Sequence, residues 1–383
     1  MSHAGSTLRR TLGSIRGRLR GTDEQPVSVT IDPARTISAA AAGRAPGARW
    51  QVVRPAETPD RTPPRQFGTR PGDFEAAYLE VPDLGVLWLE RAAIVNLFGL
   101  VLTRQGDLVL DTSTFRRRAD QVPIDRRSGT IKAVNGTLIS LATDHAHRNY
   151  GHFLLDALPR IALLESAGLS LDDADHILCS TPGPSADRLL ESLGIDPAKR
   201  IRPRPGKAVQ AEHSIVTSIP GTPTAYLPWI VTFLRERLSL PARTSGRRLY
   251  LPRGGHRSIL NESELLPILD EHGFEIYRPG TTSEDPRQVF AEAAVVVGGH
   301  GAGLTDIVFC QPGGAVLELM PDSHVRAYYW TLAASAGLHY GYLIGPAVDP
   351  ALGTSTAKWD YTIDPGEFRV ALEATLAEAG IPA

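Results

Sequence analysis

Ala294-Val-Val-Val-Gly-Gly-His-Gly-Ala-Gly-Leu-Thr-Asp-Ile-Val-Phe309 is the stretch whose reading sets the class of the chain. The consecutive valines 295–297 predict a strand buried on both faces, the pattern of a parallel sheet. Gly298, Gly299, Gly301 and Gly303 predict a tight turn, and Leu304, Ile307 and Val308 recur at helical spacing behind it. Strand, glycine turn and helix together present backbone N–H groups to a negative ligand. His300 stands inside that turn. Pro312-Gly-Gly314 predicts a second turn, and residues 315–319 a further buried strand carrying one acid, Glu318, near its C-terminal end. In open α/β sheets that edge binds ligands.

The pattern extends in both directions. Helices are predicted over 261–272, where Asn261 and Glu264 have capping-box spacing, and over 286–293 and 327–336. Strands are predicted over 248–253, 274–277 and 340–344. Residues 243–246 read as a boundary, and a last helix over 365–379 is expected to pack back across the first half. Before the boundary, a helix over 149–167, strand 177–180, helix 185–193, strand 208–217 and helix 228–240 alternate, which implies another parallel sheet. Residues 74–142 are β-rich, with Asn135-Gly136 reading as the turn of a hairpin over 130–141. The expected division is a basic N-terminal segment (1–48), a first domain (49–243), a second α/β domain (244–345) and a tail (346–383).

With 383 residues, 42% hydrophobic and 21% charged, the composition is that of an ordinary globular protein of about two domains. A net charge of −2 argues against nucleic-acid binding by bulk electrostatics. Cys179 and Cys310 sit in apolar segments and read as reduced thiols. No apolar run approaches the ~18 residues of a membrane span. The N-terminus lacks the apolar core of a secretory signal, so the cytoplasm or the inner face of its membrane is the expected place. Arg9, Arg10, Arg16, Arg18 and Arg20 occur without an acid, with Leu8, Leu12, Ile15 and Leu19 at helical spacing among them. This segment reads either as a solvated tail or as a basic helix in peripheral contact with an anionic membrane.

Two clusters carry chemistry. His152, Asp156 and Arg160 are spaced i, i+4 and share one helix face, where a carboxylate can orient an imidazole base; a purely structural network is the alternative. Pro159 should loosen the hydrogen bonding of that helix. His145, His147 and Asn149 crowd its start, but no second cluster supplies further ligands, so no metal is expected. The other cluster is the glycine turn. Leu304 replaces the third glycine of G-x-G-x-x-G, and no phosphate-loop lysine is present. The amides of His300, Gly301, Ala302, Gly303 and Leu304, with Thr305, suit a pyrophosphate, and Glu318 suits a ribose. Tyr250 and Arg253 lie on a strand that ends at the same edge, with Arg257 close behind, and arginines there suit a diphosphate clamp.

These pieces, in this order, resemble glycosyltransferase family 61. The matching residues are His147-Arg-Asn-Tyr-Gly-His-Phe-Leu-Leu-Asp-Ala-Leu-Pro-Arg160, Leu249-Tyr-Leu-Pro-Arg253, Asn261-Glu262, Gly273-Phe-Glu275, Val297-Gly-Gly-His-Gly-Ala-Gly-Leu-Thr-Asp306, Pro312-Gly313 and Glu318-Leu319. Gly298-Gly299 departs from the usual glycine followed by a larger residue. The resemblance implies a GT-B type α/β fold, two Rossmann-like domains facing a central cleft, here with a β-rich N-terminal elaboration. It implies an inverting, metal-independent transferase without a cofactor, taking a nucleotide-sugar donor such as a UDP-sugar and a glycan or glycolipid acceptor of a capsular or other surface polysaccharide. It places Asp156 and His152 on the acceptor side; Asp156 is taken as the base with His152 orienting or assisting it, and the sequence leaves open the reverse assignment. Arg253, His300 to Thr305 and Glu318 fall on the donor side. A sugar-nucleotide epimerase and a non-catalytic carbohydrate-binding subunit are the competing readings.

Overall fold

The computed structural model describes residues 28–32, 34–113, 128–221, 225–241, 246–348 and 355–382. The arginine-rich segment 1–20 and most of the boundary at 243–246 lie outside them. The described chain is mixed α/β, with two principal sheets.

The first sheet is centred on two long strands, Ser128–Ser140 and Lys207–Thr217, which pair in parallel. His176–Leu178 and Arg200–Ile201 continue the parallel side. The β-rich residues add an antiparallel side, with Leu84–Glu90 and Ala93–Val95 on Lys207–Thr217, and Ala48–Arg54 and Leu100–Leu102 beyond them. Asn135-Gly136 does not turn the chain. The strand runs straight through, and the register slips between Ala211 and His213, so that the pair bulges out opposite Glu212. Gly136 has φ +76° there and donates its N–H to the Glu212 carboxylate at 2.8 Å. The Asn-Gly signal reports left-handed backbone, which a bulge uses as readily as a hairpin.

Side chains alternate across this sheet. Ile139, Ile177 and Ile215 meet the helical segment 150–166 through Phe153, Leu154 and Ile161. Leu138, Leu178 and Val216 face the other way, with Ile94 and Val209.

The second sheet is entirely parallel. Numbered along the chain, its five C-terminal strands are Arg247–Leu251, Glu275–Ile276, Ala293–Gly299, Ala315–Pro321 and His339–Gly345, in spatial order 2-1-3-4-5. That is a doubly wound order whose switch point falls between strands 1 and 3, where ligands bind. Val295 and Val297 point to one face and Val296 to the other, each buried, as the valine run predicts.

Three expectations are corrected here. Arg65–Phe67, assigned by sequence to the first domain, is the edge strand of the second sheet, paired with His339–Gly345. The last helix, Pro365–Glu378, does not cross to the first half: Phe368, Leu372 and Leu376 pack on Val295, Leu317 and Leu319 of the second sheet. The capping box is not formed, because the Asn261 amide instead bonds the backbone of Ile363 in both directions, at 2.8 and 3.0 Å. The apolar cluster beneath segment 150–166 is continuous with Val296, Leu304, Ile307 and Val316, so the two sheets share one core.

Candidate active site

Asn149 starts the first half of the site. Its side chain accepts the His152 N–H at 3.3 Å, capping a helical path that continues to Ser166. Residues Phe153–Ala157 form a π turn, closed by the Leu158 N–H on the Phe153 carbonyl at 3.2 Å. Pro159 follows immediately and has no N–H to give; the loosening expected from sequence takes this form. Such turns widen a helix and recur at functional sites.

The turn sets Asp156 inward and His152 outward. Asp156 is 0% exposed. Its Oδ2 lies 2.6 Å from His152 Nδ1. A carboxylate at that distance keeps the proton on Nδ1 and leaves the basic lone pair on Nε2. The His152 side chain, 21% exposed, lines a cavity of about 230 Å³. Arg160 is buried behind the pair and donates to the Thr112 carbonyl at 3.2 Å; burial lowers its pKa to about 10, with Asp156 opposing that shift. Arg160 is therefore an internal anchor and does not line the cavity. Of the pair, only His152 lines the cavity, and Asp156 is closed off behind it.

The second half is the glycine turn. Ala302–Phe309 forms a 3₁₀ helix where an α-helix is predicted. Leu304 is fully buried in the core, so its side chain is not available to a donor. Thr305 is buried, but its Oγ1 reaches the cavity edge opposite Gly151. A Cβ on Gly151 would lie 2.9 Å from that oxygen, so the two halves touch where Gly151 lacks a side chain. Beside this contact the Tyr150 hydroxyl donates to Asp306 Oδ1 at 2.9 Å.

His300 is buried, with Nδ1 2.5 Å from Glu318 Oε1. Glu318 Oε2 accepts the Tyr340 hydroxyl. Burial pushes Glu318 up, to about 8, and His300 down; Arg257, Arg253 and Arg326 lower His300 further. Both shifts favour the neutral forms, in which the acid donates to Nδ1 and Nε2 carries a proton as a neutral donor. Glu318, 0% exposed with both oxygens engaged, has none left for a ribose; it holds His300 instead. Tyr250 is likewise internal, its hydroxyl 2.6 Å from Glu262.

Arg253 lies directly over Gly301, where a Cβ would fall 1.4 Å from its Nη1. Its Nε donates to the His256 carbonyl at 2.7 Å. Arg257 lines the cavity and is braced by the Ala357 carbonyl at 2.7 Å. Burial lowers both pKa values, and the charge of Arg253 depresses Arg257 further. Among the described residues no carboxylate forms an ion pair with Arg253, Arg257 or Arg326. This concentration of positive charge is matched to an anion.

Asn149, His152, Arg257, His300, Gly301, Ala302 and Thr305, all named from sequence, share the cavity wall. Sequence reasoning missed His324, Tyr328 and Tyr329, whose rings surround His300 with centroids 5.2, 6.1 and 5.4 Å away. It missed Tyr226 as well, which closes another side. The tyrosines read as the apolar start of a helix, Tyr328–Ala336, and only the adjacent Tyr-Tyr pair hinted otherwise.

With strand order, glycine turn and histidine–aspartate pair in place, the class follows: residues 150–317 match the glycosyltransferase 61 family model, and the chain carries a domain of that family. Within the curated proteins it is similar to the xylan glycosyltransferase MUCI21 of Arabidopsis thaliana, 35% identical over 120 residues. That alignment covers 29% of this chain and 22% of the relative's length.

Proposed function

We propose that this protein is an inverting glycosyltransferase that moves a sugar from a nucleotide-sugar donor, a UDP-sugar in the first instance, to a glycan or glycolipid acceptor of a surface polysaccharide. The observation that carries this reading is that an aspartate-backed histidine, Arg257 and the glycine turn at His300 to Ala302 open onto one cavity, with Arg253 packed behind Gly301. His152 Nε2 takes the proton of the acceptor hydroxyl as its oxygen attacks C1 of the donor sugar. The bond from C1 to the diphosphate oxygen breaks on the opposite side, and the nucleoside diphosphate leaves with the electron pair. Asp156 acts through His152, fixing the tautomer and stabilising the imidazolium that forms. Arg253, Arg257, the amides of the turn and the Nε2–H of His300 meet the charge developing on the leaving group. These groups supply the neutralisation that a divalent metal provides elsewhere, so transfer is expected to persist in EDTA. At about 230 Å³ the cavity suits the sugar and diphosphate end of a donor, with the nucleoside lying outside it. In this reading the two sheets are the halves of a GT-B enzyme.

The test is transfer from a panel of UDP-, GDP-, CMP- and dTDP-sugars to oligosaccharide acceptors, with calorimetry of nucleoside diphosphate binding. One donor should give an acceptor-linked product of inverted anomeric configuration. His152→Ala should lower kcat by about 10²–10⁴-fold while diphosphate affinity stays within a few-fold. Conversion of the donor without an acceptor, or unchanged turnover in His152→Ala, overturns the assignment.

A further inference from the structure

We propose that the outer face of the first sheet carries a binding site for the phosphate groups of anionic phospholipids. A cavity of about 630 Å³ opens there, and it shares no lining residue with the His152 cavity. Its walls are apolar: Ile94, Leu178, Ile201 and Val209 belong to the face opposite the one that packs on segment 150–166. Its rim is basic: Lys132, Arg200, Arg202, Arg204 and Lys207, with no acid among the lining residues.

Two of these cations are already used. Asp187 bridges Arg200 and Arg202. Even so, the Arg200 side chain, only 9% exposed, leaves its Nε without a hydrogen-bond partner. Lys132, Arg204 and Lys207 are exposed, and among the described residues no carboxylate forms an ion pair with them. An apolar floor beneath Lys132, Arg204 and Lys207, with Arg200 and Arg202 beside them, is matched to a headgroup that brings negative charge and buries carbon next to it.

The chain itself points to a lipid surface in preference to a soluble anion. Ser28, the first described residue, pairs with Thr130 in the wall of this cavity. The segment that joins the fold at that point contributes Arg9, Arg10, Arg16, Arg18 and Arg20 and no acid before Asp23. Its apolar residues Leu8, Leu12, Ile15 and Leu19 recur at the spacing of an interfacial helix. In this proposal the cavity and the segment meet the same anionic surface, where two weak signals combine into stable membrane contact.

The test is cosedimentation of the full chain with phosphatidylcholine vesicles, with and without phosphatidylglycerol. Binding is expected only to the anionic vesicles and should weaken as salt rises. The variant Lys132→Gln/Arg204→Gln/Lys207→Gln should lose affinity by roughly fivefold per cation, about 100-fold in all. Removing equal charge elsewhere, in Arg44→Gln/Arg188→Gln/Arg278→Gln, should change it by no more than a few-fold. Melting temperatures show that both variants fold, and the single substitutions keep the comparison if the triple does not. Equal effects of the two triple variants, wild-type binding by the first, no binding of the wild type, or preference for an acidic glycan over vesicles each overturn the proposal.

Discussion

At Gly301 the far end of Arg253 occupies the space a side chain would take. The Gly301 φ of 168° is extended backbone that any residue adopts, so conformation does not demand glycine here. A Cβ there would sit 1.4 Å from Arg253 Nη1, so an added side chain would push the guanidinium aside. The guanidinium lies beside Gly301, with its Nε on the His256 carbonyl. Gly301→Ala should therefore displace Arg253 and reproduce the loss of Arg253→Ala. With a charge-assisted contact to diphosphate worth about 1.5–3 kcal/mol, each single variant should weaken UDP binding by roughly 10–100-fold. The double variant should be little worse than either. Calorimetry on the four proteins checks this, and additive losses would separate the two residues. Asp156 and Glu318 illustrate what residue type conceals. Both looked like groups that meet substrate, and both are carboxylates buried behind a histidine, visible as such only once burial is known.

At the scale of elements, the start of segment 150–166 and the start of the 3₁₀ helix Ala302–Phe309 are pressed together through Gly151 and Thr305. Ala is the better helix former by about 1 kcal/mol, so Gly151→Ala would be neutral or stabilising in an isolated helix. In this protein the added Cβ would stand 2.9 Å from Thr305 Oγ1 and 3.2 Å from Asn149 Oδ1. The clash moves His152 relative to the turn, and misplacement by an ångström or less costs on the order of 10²-fold in rate. The expected outcome is a folded variant, by circular dichroism and melting, with kcat down about 10–100-fold and diphosphate affinity near wild type. Elements like these were legible because their signals are local. The valine run, the glycine turn and the i, i+4 pair each need only a few consecutive residues. The bulge at Gly136, the unformed cap at Asn261 and the edge strand Arg65–Phe67 were not legible, since each depends on a partner far along the chain.

Across the whole molecule, the first and second sheets share a core and are linked beside the site by the Tyr150–Asp306 hydrogen bond. Nothing in the sequence around Asp306 announces that link, because the partner is 156 residues away. Burial pushes the Asp306 carboxyl up to about 7; Asp285 adds to the shift, while the Tyr150 hydroxyl and Arg287 oppose it. The folded state thus holds the proton more tightly than the unfolded chain, whose aspartate titrates near its ordinary value of 3.8. The neutral acid's contribution is complete below about pH 4 and is lost progressively as pH rises through about 7. A shift from 3.8 to about 7 corresponds to roughly 4 kcal/mol at most. Asp306→Asn keeps an oxygen that accepts from Tyr150 and removes the titration. Its stability should therefore exceed that of the wild type above pH 7, and the gap should close toward pH 4. Urea unfolding of both proteins between pH 4 and pH 8 measures the difference directly. A gap that stays constant across that range would mean that Asp306 does not titrate in the folded protein.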